Sequence, residues 1–160
     1  MKERMIVKKK LIVMMGPPAS GKSTITKLIA ESHSKVCVVS RDTIRFALLQ
    51  EDEDYFAHEN EVVDTFFSNI NKALRNSDYD IVIADQTNVT LRARAEFWRN
   101  VSIPSTVEVV GIWVEIPKKV AISRNKQRKG RANVPEHVIK NMYAHSRRPD
   151  KKIEDFDRID

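Results

Sequence analysis

At 160 residues, 41% of them hydrophobic and 31% charged, the chain is long enough to bury a core without disulfide or metal staples, and its composition is that of folded soluble material. No apolar run approaches the roughly 20 residues that span a bilayer, and Met1-Lys2-Glu3-Arg4-Met5-Ile6-Val7 lacks a signal peptide's apolar core, so no membrane contact is expected. The formal net charge of +6 favours an anionic partner such as a nucleotide or nucleic acid, and the lone Cys37 excludes an internal disulfide and fits a reducing cytoplasm.

No repeat, low-complexity tract or Pro/Gly-rich linker interrupts residues 1–160, which read as one domain. After the basic cluster Lys8-Lys9-Lys10, the run from Lys10 to Met15 predicts a short buried strand. Lys22 to Ala30 predicts a helix with Ile25, Leu28 and Ile29 on one face. Val36 to Val39 predicts a second strand, with Cys37 as a buried, inert thiol, and a short helix follows to Leu49. The acidic run Glu51-Asp52-Glu53-Asp54 reads as a solvated loop.

From Tyr55 to Arg75, Val62, Val63, Phe66, Phe67, Ile70, Ala73 and Leu74 recur at helical spacing, so these aromatics belong to the core rather than to a base-stacking platform. Ile81 to Ala84 predicts a third strand, and Thr90 caps a helix running through Phe97 and Trp98. Thr106 to Glu115 predicts a fourth strand, Lys118 to about Lys129 a helix, and Pro135 opens another to Ser146. Phe156 to Ile159 begins a fifth strand. Strands alternating with helices predict an α/β sandwich around a parallel sheet. His33, His58, His137 and His145 are too scattered for a zinc site and read as surface or capping residues.

Between the first strand and first helix stands Gly16-Pro17-Pro18-Ala19-Ser20-Gly21-Lys22-Ser23-Thr24, which fits the phosphate-loop pattern G-x-x-x-x-G-K-[ST] without a mismatch. In such a loop, backbone N–H groups curl around a triphosphate, the Lys22 ammonium reaches the β- and γ-phosphates, and the Ser23 hydroxyl ligates Mg²⁺. A side chain at Gly21 would obstruct the close approach, and acidic residues in the loop would repel phosphate.

In parallel sheets, ligands bind beyond the carboxyl ends of the strands. The loop lies there, as do Asp42 past the second strand and Asp85 past the third. Asp42 and Arg45 share a face if a helix starts at Asp42. The carboxylate can then take a proton from an attacking hydroxyl and the guanidinium can hold an anionic group; equally, Asp42 can cap the helix and pair with Arg45. Asp85 stands where such proteins place the acid that holds Mg²⁺ or its waters, although a strand-end turn would also use it. Arg124, Arg128 and Arg131 are spaced to share a helical face. Their segment reads as a basic lid over the γ-phosphate or, without the loop, as a solvated charged face.

The phosphate loop, Ser40-Arg-Asp-Thr-Ile-Arg45, Asp85-Gln-Thr-Asn88, Arg124-Asn-Lys-Gln-Arg128 and Val134-Pro-Glu-His-Val-Ile-Lys-Asn-Met-Tyr143 together resemble the bacteriophage polynucleotide 5′-hydroxyl kinase domain, in order, from about Lys10 to Arg148. The resemblance implies a three-layer P-loop kinase sandwich with a four- to five-stranded parallel sheet and a small basic lid over roughly residues 124–134. It implies transfer of the ATP γ-phosphate, with Mg²⁺, to a DNA or RNA 5′-hydroxyl in nucleic acid end repair. By the same resemblance, Lys22 binds phosphate, Ser23 ligates Mg²⁺, Asp42 is the general base and Arg45 grips the acceptor's neighbouring phosphate. Asp85 would support that pair, Arg128 is the lid arginine on the transferring phosphate, and Arg124 aids nucleotide binding, beside the loop residues Gly16, Ser20, Gly21 and Thr24.

Two departures stand out. Gln86 separates Asp85 from Thr87-Asn88 where the phage enzyme turns more tightly, and no D-x-D-G-T phosphatase signature is present, so no phosphatase half is expected. Small-molecule kinases such as the zeta-toxin sugar-nucleotide kinases share the loop and an Asp-x-x-Arg, which leaves them as the rival reading. A non-catalytic nucleotide-binding switch would need neither Asp42 nor Arg45.

Overall fold

In a computed structural model, which describes residues 7–130 and 133–160, strand β1 (Lys10–Met15) is buried at all but its first position, the pattern of a strand covered on both faces. It pairs in parallel with β3 (Ile81–Asp85) on one side and with β4 (Glu108–Trp113) on the other. β2 (Val36–Ser40) lies outside β3 and the two-residue β5 (Arg158–Ile159) outside β4. The order is therefore β2-β3-β1-β4-β5, with every pairing parallel.

The strand pleat sends alternate β1 side chains to opposite faces. Leu11, Val13 and Met15 join a cluster with Phe66, Ile70 and Leu74 of α3 (Glu59–Leu74) and Phe97 of α4 (Leu91–Asn100). Ile12 and Met14 join Ile81, Ile83 and, from α1 (Lys22–Ser32), Ile25 and Ile29. Phe66 and Phe97 are wholly buried, each contributing about 1.5–3 kcal/mol relative to exposure. A third, smaller cluster is built on Ala121 of α5 (Lys118–Gln127), Val134 and Ile139 of α6 (Glu136–His145), with Tyr55 packed against it. The result, among the described residues, is a five-stranded parallel sheet flanked by six helices, the sixth being α2 (Arg41–Leu48). Among the described residues no helix is long and apolar enough to cross a membrane.

Several boundaries differ from expectation for physical reasons. Leu28 is 59% exposed, because the buried face of α1 runs through Ile25, Thr26 and Ile29, about 100° of helical rotation from Leu28. Helix α3 starts at Glu59 rather than Tyr55. Residues 55–58 form a turn instead, in which the Ala57 N–H donates to Asp54 O at 2.9 Å. Helix α5 stops at Gln127, so Arg128 is its C-cap residue and leaves the helical face. Arg131 and Ala132 of the expected lid lie outside the described residues. Cys37 is half-buried rather than buried, and burial pushes its thiol pKa up. From the basic cluster, the Lys9 ammonium donates to Ala73 O (2.9 Å) and Asn76 O (2.7 Å), neutralising the carboxyl end of α3.

Candidate active site

The pairing register sets Ser40, Asp85 and Met14 in one row at the carboxyl end of the sheet. The β1–α1 loop, the start of α2 and the residues after β3 therefore share one rim. They line a cleft of about 480 Å³ that also takes in Arg124, Arg128 and the 55–59 segment. Five basic and three acidic side chains are among its described lining residues, a balance that favours anionic ligands.

The loop is pinned from both neighbouring strands: Gly16 N–H donates to Thr87 O at 2.8 Å and Val114 N–H to Met15 O at 2.7 Å. A Cβ on Gly16 would stand 2.9 Å from Val114 O, so the close approach of β4 demands glycine there. Gly21 also meets a backbone requirement. Its φ of 102° is left-handed, and a Cβ would meet no protein atom within 4 Å. No side chain caps α1, its first turn carries no acid, and residues 21–24 line the cleft, so the positive end of the helix is left for a ligand there. Lys22 Nζ donates to Pro17 O at 3.2 Å, and burial lowers its pKa, opposed by Asp85 and Asp42. Ser23 and Thr24 are exposed, and Ser20 Oγ is buried without a partner among the described residues.

On the α2 side, Ser40 caps the helix, its Oγ accepting from Thr43 N–H at 3.3 Å, which releases Asp42 from capping. Asp42 Oδ1 accepts from Arg45 Nη1 (2.7 Å) and from the Tyr55 hydroxyl (3.0 Å). Burial, then the Asp42 charge, pushes the Tyr55 phenol pKa far up, so Tyr55 stays a donor. Arg45, with a side chain only 6% exposed, turns Nη2 onto both Glu59 oxygens at 3.0 and 2.9 Å. Arg41 bridges Glu59 and Gln86, and Gln86 in turn donates to Asn88 Oδ1. Burial alone would raise the Glu59 pKa, but the Arg45 hydrogen bond and the Arg41 charge outweigh it and hold Glu59 ionised.

Asp85, at the end of β3, is half-buried, and no ion pair or hydrogen bond to its carboxylate is seen among the described residues. Its pKa is raised by burial, with Lys22 opposing. A desolvated carboxylate lining the same cleft as an exposed Ser23 and an uncapped helix start suits a hydrated divalent cation carried in by phosphates. Among the described residues no group of three or more His, Cys, Asp or Glu side chains would hold a metal alone. Arg124 Nη1 reaches Ala19 O at 3.4 Å, and Arg128 lines the cleft beside it.

The structure thus gathers Gly21, Lys22, Ser23, Asp42, Arg45, Asp85, Arg124 and Arg128 around one cleft. Sequence reasoning missed Tyr55, Glu59 and Arg41, and met Gln86 only as a departure. Glu59 lies 14 residues beyond Arg45 across an irregular loop, and no spacing rule marks such a partner.

A parallel sheet of this order with a phosphate loop on its carboxyl rim is a P-loop kinase-like α/β fold, which implies nucleotide binding. Residues 11–149 match the model of a family described as an AAA domain, and the chain belongs to that family. Comparison with curated protein sequences finds none that matches. Among solved structures, a chain of the Pnkp1/Rnl/Hen1 RNA repair complex matches at 20% identity and TM-score 0.71, covering 91% of this chain and 46% of that one. A fungal RNA kinase matches at 14% identity and TM-score 0.63 (94% and 72% covered), and a gluconokinase from Sinorhizobium meliloti at 15% and 0.55 (97% and 82%). At these identities the likeness is one of fold. The chain spans less than half of the RNA repair chain it matches.

Proposed function

We propose that this protein is a kinase that transfers the γ-phosphate of ATP to the 5′-hydroxyl end of a polynucleotide. The observation that carries the reading is the Asp42–Arg45–Tyr55 constellation, held on the same rim as the phosphate loop. With Oδ1 occupied by two donors, Asp42 keeps Oδ2 for a proton, and its side chain is 53% exposed to an incoming hydroxyl.

In this reading, the amides of residues 21–24 and Lys22 bind the β- and γ-phosphates. The acceptor oxygen forms a bond to the γ-phosphorus as the bond to the ADP oxygen breaks, and the hydroxyl proton passes to Asp42. Arg128 and Arg124 stabilise charge on the transferring group and the nucleotide. Mg²⁺, held by Ser23 Oγ with Asp85 positioned for its waters, would neutralise phosphate charge. Arg45 orients Asp42, and an acceptor's neighbouring phosphate would share the Arg45 guanidinium with Asp42 and Glu59, with Asp85 supporting that side. The RNA-associated fold relatives support a polynucleotide acceptor, in keeping with the sequence resemblance.

A small hydroxylic acceptor is the second reading, favoured by the acidic, exposed residues 51–54 next to the acceptor side. One experiment decides between them. Labelled ATP is incubated with 5′-hydroxyl oligonucleotides of DNA and RNA, 3′-mononucleotides and small sugars. Label on a polynucleotide 5′ end is the expected result, and label only on small acceptors, or on none, refutes the proposal.

A further inference from the structure

Of the phenylalanines, Phe66, Phe67, Phe97 and Phe156 are buried in the core, but Phe56 is 42% exposed, lines the cleft and joins none of the apolar clusters of described residues. It is not loosely placed. Its backbone N–H donates to Asp54 Oδ1 at 2.9 Å, and its ring meets Tyr55 edge-on, centroids 4.8 Å apart at 83°. Tyr55 is itself clamped, with the Arg45 guanidinium carbon 4.5 Å from its ring centroid and its hydroxyl on Asp42. The exposed ring is thus fixed one residue from the group that touches the candidate base.

The surroundings decide what such a ring receives. Residues 51–54, exposed and all acidic, immediately precede it, and the Arg45 guanidinium 5.8 Å from its ring centroid is already shared by Asp42 and Glu59, so an uncharged flat group is favoured at the ring itself. In a nucleoside, the 5′-hydroxyl and the base hang from the same ribose. A hydroxyl delivered to Asp42 therefore brings a base into the neighbouring space.

We propose that Phe56 is the stacking platform for the base of the acceptor's 5′-terminal nucleoside, an inference that rests on the 5′-hydroxyl kinase reading. Every base has a π-face, so such a platform recognises a nucleoside without demanding one base.

The test is a kinetic cycle. Wild type, Phe56→Ala and Phe56→Trp are assayed with a 5′-hydroxyl oligonucleotide and with the same oligonucleotide whose terminal residue is an abasic tetrahydrofuran. Removing the base is expected to cost the wild type about tenfold in kcat/KM. Phe56→Ala should lose about the same factor on the normal acceptor and nothing further on the abasic one, while Phe56→Trp keeps wild-type behaviour. Equal losses on both acceptors, as a sugar contact or a purely structural role would give, overturn the platform, and so does no loss on either. If the wild type phosphorylates neither oligonucleotide, the 5′-kinase reading itself fails and the platform with it. Transfer by the wild type with no coupling between ring and base sinks the platform alone.

Discussion

Asp42→Asn separates proton transfer from everything else the cleft does. The substitution keeps the shape, and the amide oxygen can still accept from Arg45 and Tyr55. The group left at the Oδ2 position is an NH₂ that carries only donors. Loss of a general base costs about 10²–10⁴-fold in kcat, or roughly 3–5 kcal/mol in the barrier. The fold should survive. The Asp42 side chain is 53% exposed and Arg45 retains Glu59, so the ion pair is worth about 1 kcal/mol or less, a Tm change within about 2–4 °C. The assay is label transfer to a saturating 5′-hydroxyl oligonucleotide, with nucleotide affinity from displacement of a fluorescent ATP analogue and Tm from calorimetry. A kcat within about threefold of wild type, with ATP binding and Tm intact, would refute Asp42 as base, since the loss expected of a base is far larger.

Three further outcomes test the surrounding network. Burial raises the Asp85 pKa above 3.8, so its ionised form costs stability above that raised pKa and costs nothing below 3.8, where folded and unfolded states both hold the proton. Asp85→Asn is therefore expected to raise Tm by about 2–4 °C at neutral pH, with the gain vanishing as the pH falls toward about 3.8; a gain equal at both pH values argues against the burial account. Glu59→Gln removes the charge shared by Arg41 and Arg45 and should cost about 2–3 kcal/mol, read as a lower urea midpoint at unchanged slope; an unmoved midpoint would mean that water already compensates these arginines. Arg94→Met strands Glu154, whose side chain is 4% exposed, and takes the donor from Asn88 O, for about 3–5 kcal/mol. Adding Glu154→Leu should recover most of that loss in the same unfolding assay, and a double variant no more stable than the single one would rule out the stranded charge as its cause.

Legibility tracks distance along the chain. The phosphate loop was readable because all its chemistry lies within nine consecutive residues, and the flanking strand and helix because apolar runs and periodicity are local. Asp42 and Asp85 were readable as strand ends; that Ser40, Asp85 and Met14 would share one row was not, because strand order is set by long-range pairing. Glu59 and Tyr55 were invisible since they join Arg45 and Asp42 across the 49–58 loop, and Arg94 and Glu154 pair over 60 residues. The misplaced Leu28 has a different origin. Three apolar residues within five positions are compatible with more than one helical face, and the sheet selected the one through Thr26.

Charge, finally, divides the cleft in a way that fits transfer from a polyanion to an alcohol. On the loop side, Lys22 and Arg124 rest on the backbone carbonyls of Pro17 and Ala19, contacts that an arriving phosphate can replace without separating an ion pair. On the α2 side, Arg41 and Arg45 are already matched by Glu59 and Asp42. A group entering there meets little net charge, which suits a neutral hydroxyl. It also meets a carboxylate with one oxygen uncommitted, held in place by Tyr55 and Arg45. Removing Glu59 would end that separation: Arg45 would be left with Asp42 as its sole acidic partner, and the base would be drawn onto the guanidinium instead of the acceptor. The acid on α3, unmarked by any motif, is thus what would let Asp42, in the proposed reaction, face the hydroxyl.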